Sequence, residues 1–210
     1  MADCAITFYN LDGDEIEKQP TQIEWDAEAA EKAGFEHFMI KEIHEQPKAV
    51  HDTINSVVKD GAIDLSEVGL TEEQIKNISQ IYIVACGSAY HVGVACQYVF
   101  EDLAEIPVRV ELASEFRYRK MVLDPNGLVI IVSQSGETAD SLAALRLAKK
   151  KGVKTLGIVN VVGSSIAREA DNVFYTLAGP DIAVATTKAY STQLIAGYCL
   201  AVQFAKVRGS

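Results

Sequence analysis

The chain has 210 residues, 49% hydrophobic and 23% charged, enough for a full globular core with an appendage and incompatible with a disulfide-stapled mini-protein. No apolar run reaches the ~18 residues of a membrane span, and the opening MADCAITFYNLDGDE lacks the basic-then-apolar order of a signal peptide, so a cytoplasmic protein is expected. The net charge of -10 is unevenly spread: residues 1–80 carry 6 Lys+Arg against 18 Asp+Glu, whereas residues 81–210 carry 13 against 11. The acidic front part repels nucleic acid and anionic membrane, which leaves only the near-neutral back part suited to hold an anion.

In chain order, residues 5–23 show a β-type run, an Asp12-Gly13 turn signal and a second run, which predicts a hairpin. An isolated hairpin is marginal in water, so this one should need a neighbour. Residues 25–33 are acidic and Ala-rich, and Gly34 interrupts them. Beyond it Phe35, Phe38, Met39, Ile43, Val50, Ile54, Val57 and Val58 recur at helical spacing, with Pro47 expected to kink or restart the helix. His37, His44 and His51 recur every seven residues on this acidic helix, a common stripe without metal-site spacing. Residues 70–79 predict a short helix.

After residue 80 the pattern becomes regular. Short apolar runs at 81–85, 108–112, 128–132, 155–159 and 172–176 predict strands, and helical stretches lie at 90–103, 139–150, 164–169 and 187–206. This alternation implies an α/β fold, a doubly wound, flavodoxin-like sheet of five parallel strands covered on both faces. The expected organisation is a hairpin and linker over 1–34, a helical lead-in over 35–79 and the α/β layer over 80–210. Cys4, Cys86, Cys96 and Cys199 show no C-x-x-C and no paired His, so reduced thiols are expected and no metal is. Cys96 and Cys199 fall in apolar helical patterns as small buried hydrophobes, while Cys86 falls in a loop.

In such sheets ligands sit beyond the carboxyl ends of the strands, where helix-start N–H groups point outward. Two of these ends are chemically loaded: Cys86-Gly87-Ser88-Ala89-Tyr90, and Ser133-Gln134-Ser135-Gly136-Glu137-Thr138 with three hydroxyls in six residues. Hydroxyls and free N–H groups suit a phosphate monoester. Ser, Thr and Gly also make ordinary helix caps and turns, but two such loops after buried strands favour a ligand. Glu137 is expected to stabilise the first turn of its own helix while pointing away from the anion. The nucleotide signatures G-x-x-x-x-G-K-[ST] and G-x-G-x-x-G are absent, and no cofactor is implied. A third segment, 183–188, brings further hydroxyls and Lys188, which reads equally as a ligand cation or a solvated side chain. The basic cluster 117–120 reads as a solvated face or a subunit contact, and His91 as an exposed or core-edge residue close to the first loop.

The motifs ACGSAYHVG, ELASEFRYR, SQSGETADSL, VVGSSIARE and VATTKAYSTQL, in this order, resemble the first sugar-isomerase (SIS) subdomain of the glutamine:fructose-6-phosphate aminotransferases, the glucosamine-6-phosphate synthases. KAGFEHFMIKEIHEQP resembles the segment joining that family's glutaminase and isomerase domains, and the hairpin ending IEWD resembles its glutaminase tail. The resemblance implies phosphosugar binding, of fructose 6-phosphate or glucosamine 6-phosphate, within an enzyme of amino-sugar biosynthesis. By motif, Ser133, Gln134, Ser135 and Thr138 would hold the phosphate with Ser88, while Val184 and Thr186 would line the sugar. Two positions depart from the family: Ala89 lacks a hydroxyl, and Thr186 stands where serine is frequent.

The family's glutaminase domain with its N-terminal cysteine, and the second SIS subdomain with the isomerase base, imine lysine and ring-opening histidine, have no counterpart in these residues. Cys4, behind Met1, Ala2 and Asp3, is not that nucleophile. The expectation is a piece of a longer enzyme, without catalytic residues of its own, that depends on the absent glutaminase domain and second subdomain. A homodimer is implied by the resemblance and by Leu194, Ile195, Leu200, Val202 and Phe204 on the last helix, although burial within the subdomain would account for that helix equally. The alternative is a non-catalytic SIS-type phosphosugar sensor, which calls for a basic DNA-reading segment that the acidic front part does not supply. A flavin or nucleotide oxidoreductase would need a glycine fingerprint that the loops lack.

Overall fold

The computed structural model describes residues 7–18 and 31–210. Within them the predicted N-terminal hairpin is present as β1 (Phe8–Tyr9) and β2 (Glu15–Ile16), paired antiparallel across the Asp12-Gly13 turn. The acidic stretch before Gly34 and Cys4 lie largely or wholly outside the described residues.

The helix that follows, α1, spans Phe38–Asn55 and continues past Pro47 without restarting. Proline cannot donate to the carbonyl four residues back, but the Gln46 side-chain amide donates to Ile43 O at 3.3 Å and satisfies that acceptor. The helix also ends earlier than its apolar spacing predicts. Val58–Lys59 forms β3 and Ala62–Ile63 forms β4, an antiparallel hairpin closed by Asp60 and Gly61 with φ of 51° and 76°. That two-residue Asp-Gly turn was legible in the sequence and outweighs the helical spacing of Val57 and Val58. The short helix α2 (Glu72–Asn77) starts at Thr71, whose hydroxyl accepts from Gln74 N while Gln74 reaches back to Thr71 N.

Next come β5 (Gln80–Ala85), α3 (Gly87–Ala104), β6 (Val108–Leu112) and the unpredicted short helix α4 (Ala113–Phe116). They are followed by β7 (Gly127–Ser133), α5 (Ala139–Lys150), β8 (Lys154–Val159), α6 (Ser165–Glu169), β9 (Asn172–Tyr175) and α7 (Lys188–Arg208). The five strands β5 to β9 form one parallel sheet in the order β6-β5-β7-β8-β9. Alternate side chains of each strand enter different cores, as the two-residue period requires. Ile81, Ile83, Ile130, Leu156, Ile158 and Phe174 pack with Val92, Cys96, Phe100, Leu200 and Phe204 of α3 and α7. Tyr82, Val84, Val129, Ile131 and Val159 pack on the other face with Phe116, Leu145, Ala148 and Ile166.

Helix α7 lies between α3 and α1, which joins the lead-in helix to the sheet. Close approach to α3 depends on Gly197, where a Cβ would stand 2.3 Å from Cys96 Sγ. Thr53 of α1 donates to Thr176 O beyond β9, so the connector is also tied to the end of the sheet. On the last helix Leu200 and Phe204 are fully buried, whereas Val202 is exposed. Burial within the layer therefore accounts for the inner half of that helix. Phe204→Ala removes a ring packed edge-on against Phe100 at 5.6 Å and is expected to cost about 3–5 kcal/mol in urea unfolding.

Candidate functional site

Strand β5 connects through α3 to β6 on one side, and the chain then crosses back to β7 on the other. This reversal opens a crevice beyond the carboxyl ends of β5 and β7, the place where doubly wound sheets bind ligands. Ala85 is in register with Val132, so the loops that begin at Cys86 and Ser133 start side by side. They lead into helices of 18 and 12 residues whose first turns face the crevice, and neither Cys86 nor Thr138 caps its helix with a side-chain hydrogen bond. The free N–H groups and the positive helix ends are thus available to an anion.

A cleft of about 290 Å³ occupies the crevice. Ser88, Ser133, Gln134, Ser135, Thr138, Val184 and Thr186, the seven residues selected from the sequence, all stand on its wall. Asp181 and Gln193 also line it, and neither was selected. Ala89 contributes an apolar patch to the wall where a hydroxyl is absent. Val184 is fully exposed and Thr186 half-buried on the segment that crosses the cleft opposite the Ser133 loop.

The Ser133–Thr138 loop is locked from within. Ser133 Oγ accepts from Gly136 N at 3.1 Å and shares a hydrogen bond of 3.1 Å with Thr138 Oγ1, while Ser135 Oγ accepts from Glu137 N at 3.2 Å. The backbone is held to the sheet by Asn160 N donating to Gln134 O at 3.1 Å and Ile166 N to Gly136 O at 3.0 Å. Ser133 is 3% exposed and shapes the loop from beneath; Gln134, Ser135 and Thr138 are half-buried and accessible. Gly136 has φ 66°, and a Cβ there would stand 2.0 Å from Ser164 Oγ, so glycine is required on both counts.

Glu137 does point away from the cleft, but it does not serve its own helix as expected. Its Oε1 accepts from Ser165 N at 2.7 Å and so caps α6, and the Ser165 side chain together with this backbone bond, aided by Arg168, lowers the carboxyl below the ordinary range. Lys188 is neither solvated nor a cleft residue. It is 3% exposed, and its Nζ donates to Glu45 Oε2 of α1 at 2.7 Å. His91 is exposed and packs its ring edge-on against Tyr90 at 5.5 Å, outside the cleft wall. In the basic cluster, Arg117 pairs with Asp140 at 2.7 Å and Arg119 with Glu111 at 2.5 Å. His44 stacks on Phe35 at 5.2 Å, and His51 meets Asn55, so that stripe is occupied by local contacts.

The segment that carries Val184 is tethered by Glu42 of α1, whose Oε1 accepts from Ile182 N at 2.7 Å and Ala183 N at 2.9 Å. Burial, reinforced by the neighbouring Glu42 carboxyl, pushes Asp181 up to about 7. No local signal marks Glu42, because its partners lie 140 and 141 residues away. Among the described residues, no cluster of three or more His, Cys, Asp or Glu could hold a metal ion, and no helix is long and apolar enough to cross a membrane.

A sequence profile of the SIS domain matches residues 74–203. The chain belongs to the SIS domain family. It is 57% identical over 202 residues to the glutamine–fructose-6-phosphate aminotransferase (isomerizing) of Clostridium acetobutylicum, covering 96% of this chain and 33% of that protein. The corresponding protein of Clostridium tetani is 53% identical, over 100% of this chain and 35% of its own length. Among solved structures, the C-terminal domain of glucosamine-fructose-6-phosphate aminotransferase from Francisella tularensis superposes with a TM-score of 0.82 at 43% identity, covering 86% of this chain and 51% of that one. This SIS-domain chain therefore spans about a third of the length of the curated relatives it matches.

The SIS loop geometry has a direct test. Gly136→Ala is expected to cost about 2–4 kcal/mol, combining a left-handed backbone with overpacking. Adding Ser164→Gly removes the obstructing atoms and should recover the steric part, leaving about 1–2 kcal/mol for the backbone. Chemical denaturation of both variants measures the difference.

Proposed function

We propose that this chain is the phosphosugar-binding SIS unit of a glutamine:fructose-6-phosphate aminotransferase. That enzyme transfers the amide nitrogen of glutamine to fructose 6-phosphate and isomerises the product to glucosamine 6-phosphate. The observation that carries the reading is the convergence of the Ser88 and Ser133–Thr138 loops with the 183–186 segment on one cleft at the strand-order reversal.

In this reading the phosphate sits at the start of α5. Gln134, Ser135 and Thr138 reach it directly, Ser133 holds the loop in shape and contributes through its shared bond with Thr138, and Ser88 approaches from the first loop. Uncharged donors and a helix N-terminus supply the binding, with no cation required. Val184 and Thr186 face the sugar. Ala89, lacking a hydroxyl, leaves one wall of the cleft to van der Waals contact alone. The proton transfers and the imine chemistry fall to groups outside this unit, so the chain binds without turnover. Residues 1–34 act as the glutaminase tail and linker, 35–79 as the lead-in of the isomerase part and 80–210 as the first SIS subdomain, in a cytoplasmic enzyme.

Titration with fructose 6-phosphate should shift the backbone amides of 133–138 in NMR spectra. The absence of any shift at millimolar ligand sinks the binding reading. Ser135→Ala combined with Thr138→Ala should weaken binding about tenfold or more through loss of two charge-assisted hydrogen bonds, with an unfolding midpoint close to the parent's.

The unit is further proposed to act in a homodimer. Tyr98, Leu103, Tyr198 and Val202 are exposed on α3 and α7, apolar surface that a second subunit would cover. Sedimentation velocity is expected to show a dimer, and Val202→Glu with Leu103→Glu should shift it to monomer.

A further inference from the structure

Three carboxyls and two ammonium groups meet where α1 passes α7 and the 181–187 segment. Glu42 is 2% exposed; its Oε1 takes the N–H groups of Ile182 and Ala183, while its Oε2 is buried and unpartnered. Asp181 Oδ1 is also buried and unpartnered, and burial and the neighbouring Glu42 carboxyl act together on Asp181. Two ionised carboxylates would oppose lone pair to lone pair there. One proton makes one oxygen a donor and the other its acceptor, and so removes both unpartnered atoms together.

Glu45 engages ammonium groups from both helices of this region. From α7, Lys188 Nζ lies 2.7 Å from Glu45 Oε2, and from α1, Lys41 Nζ lies 3.5 Å from Glu45 Oε1. One turn further along α1, Lys48 and Asp52 pair with each other at 2.5 Å and neutralise themselves. Loss of the proton adds a second negative charge to this buried Glu42–Asp181 pair.

We propose that the Glu42–Asp181 carboxyl pair is the positioning device of the sugar-facing segment: Glu42 ties residues 182 and 183 to α1, and a proton shared with Asp181 keeps the tie closed. The identity of the ligand opposite the segment rests on the phosphosugar reading, whereas the tie itself does not. Glu42 acts through the backbone that carries Val184 and Thr186 and is not a cleft residue. Because Asp181 is raised to about 7 by burial and by Glu42, the pair loses its proton around neutrality. The folded pKa lies above the ~3.9 of an unfolded aspartate, so the pair's contribution to stability is full at low pH and declines as pH rises towards 7.

The test uses the full chain. Hydrogen-exchange protection factors of the Ile182 and Ala183 amides, corrected for intrinsic exchange, should fall about tenfold between pH 5 and 6 and level off above pH 7, where the closed state has also lost the proton. Asp181→Asn places a permanent donor opposite Glu42 and should abolish that slope. Glu42→Gln keeps the acceptor for both N–H groups and supplies a donor to Asp181, so it should also be flat with pH, whereas Glu42→Ala should lose about tenfold in protection at every pH. A wild-type slope retained in Asp181→Asn, or unchanged protection in Glu42→Ala, overturns the proposal. With fructose 6-phosphate, wild-type affinity should fall with pH more steeply than that of Asp181→Asn, since the phosphate's own ionisation acts equally on both. Equal slopes refute the link between the tie and the sugar. Absence of any shift at 133–138 in every variant instead refutes the phosphosugar reading, and the protection factors still decide the tie.

Discussion

The constraint on which the rest of this structure depends is the parallel pairing of β5 with two strands that arrive from opposite directions, β6 and β7. A parallel strand pair needs a crossover, and crossovers of consistent hand that leave a central strand on opposite sides must part at its carboxyl end. The crevice is therefore a property of connectivity. Its chemistry comes from the small polar residues that the loops bordering it, at Cys86–Ser88 and Ser133–Thr138, set beside long helix starts.

Local order in the site comes from hydrogen bonds that the loop makes with itself and with the next βα unit. Gly136 lies against Ser164, Ile166 N reaches Gly136 O, and Glu137 caps α6, so two successive residues of the loop are fixed by the unit that follows. A site built in this way is preorganised: donors are aimed before a ligand arrives, and little conformational freedom remains to be lost on binding. The opposite wall is held differently. Segment 181–187 has no regular structure before α7 and is anchored through Glu42, a side chain of the lead-in helix. One wall is held by backbone bonding, and the other through a carboxylate of the lead-in helix.

This arrangement also gives the acidic front part a structural role. Glu42 and Glu45 lie in the region whose excess negative charge disfavours nucleic acid as a partner, and both are consumed by α7 and the segment before it. Lys188 is buried because Glu45 is there to meet it. Removing the lead-in helix from the SIS layer would strand an ammonium group at the base of α7, so the helix and the layer are expected to fold as one unit.

The strands, α5 and the seven cleft residues were legible in the sequence because their signals are local: apolar runs of five, and hydroxyls and glycine placed directly after them. The Asp60-Gly61 hairpin was equally legible, but the helical spacing around it concealed it. The continuity of α1 through Pro47 was not, since it depends on Gln46 supplying the bond that proline cannot. Nor were Asp181, Gln193 and Glu42, or the fate of Lys188. By itself the sequence determined the parallel α/β layer, the loops that carry donors and the absence of a nucleotide fingerprint. Only the tertiary structure decided which loops share a cleft, which helix Glu137 caps and which carboxyl holds the far wall, because those contacts join residues 28 to 143 positions apart and leave no periodic trace along the chain.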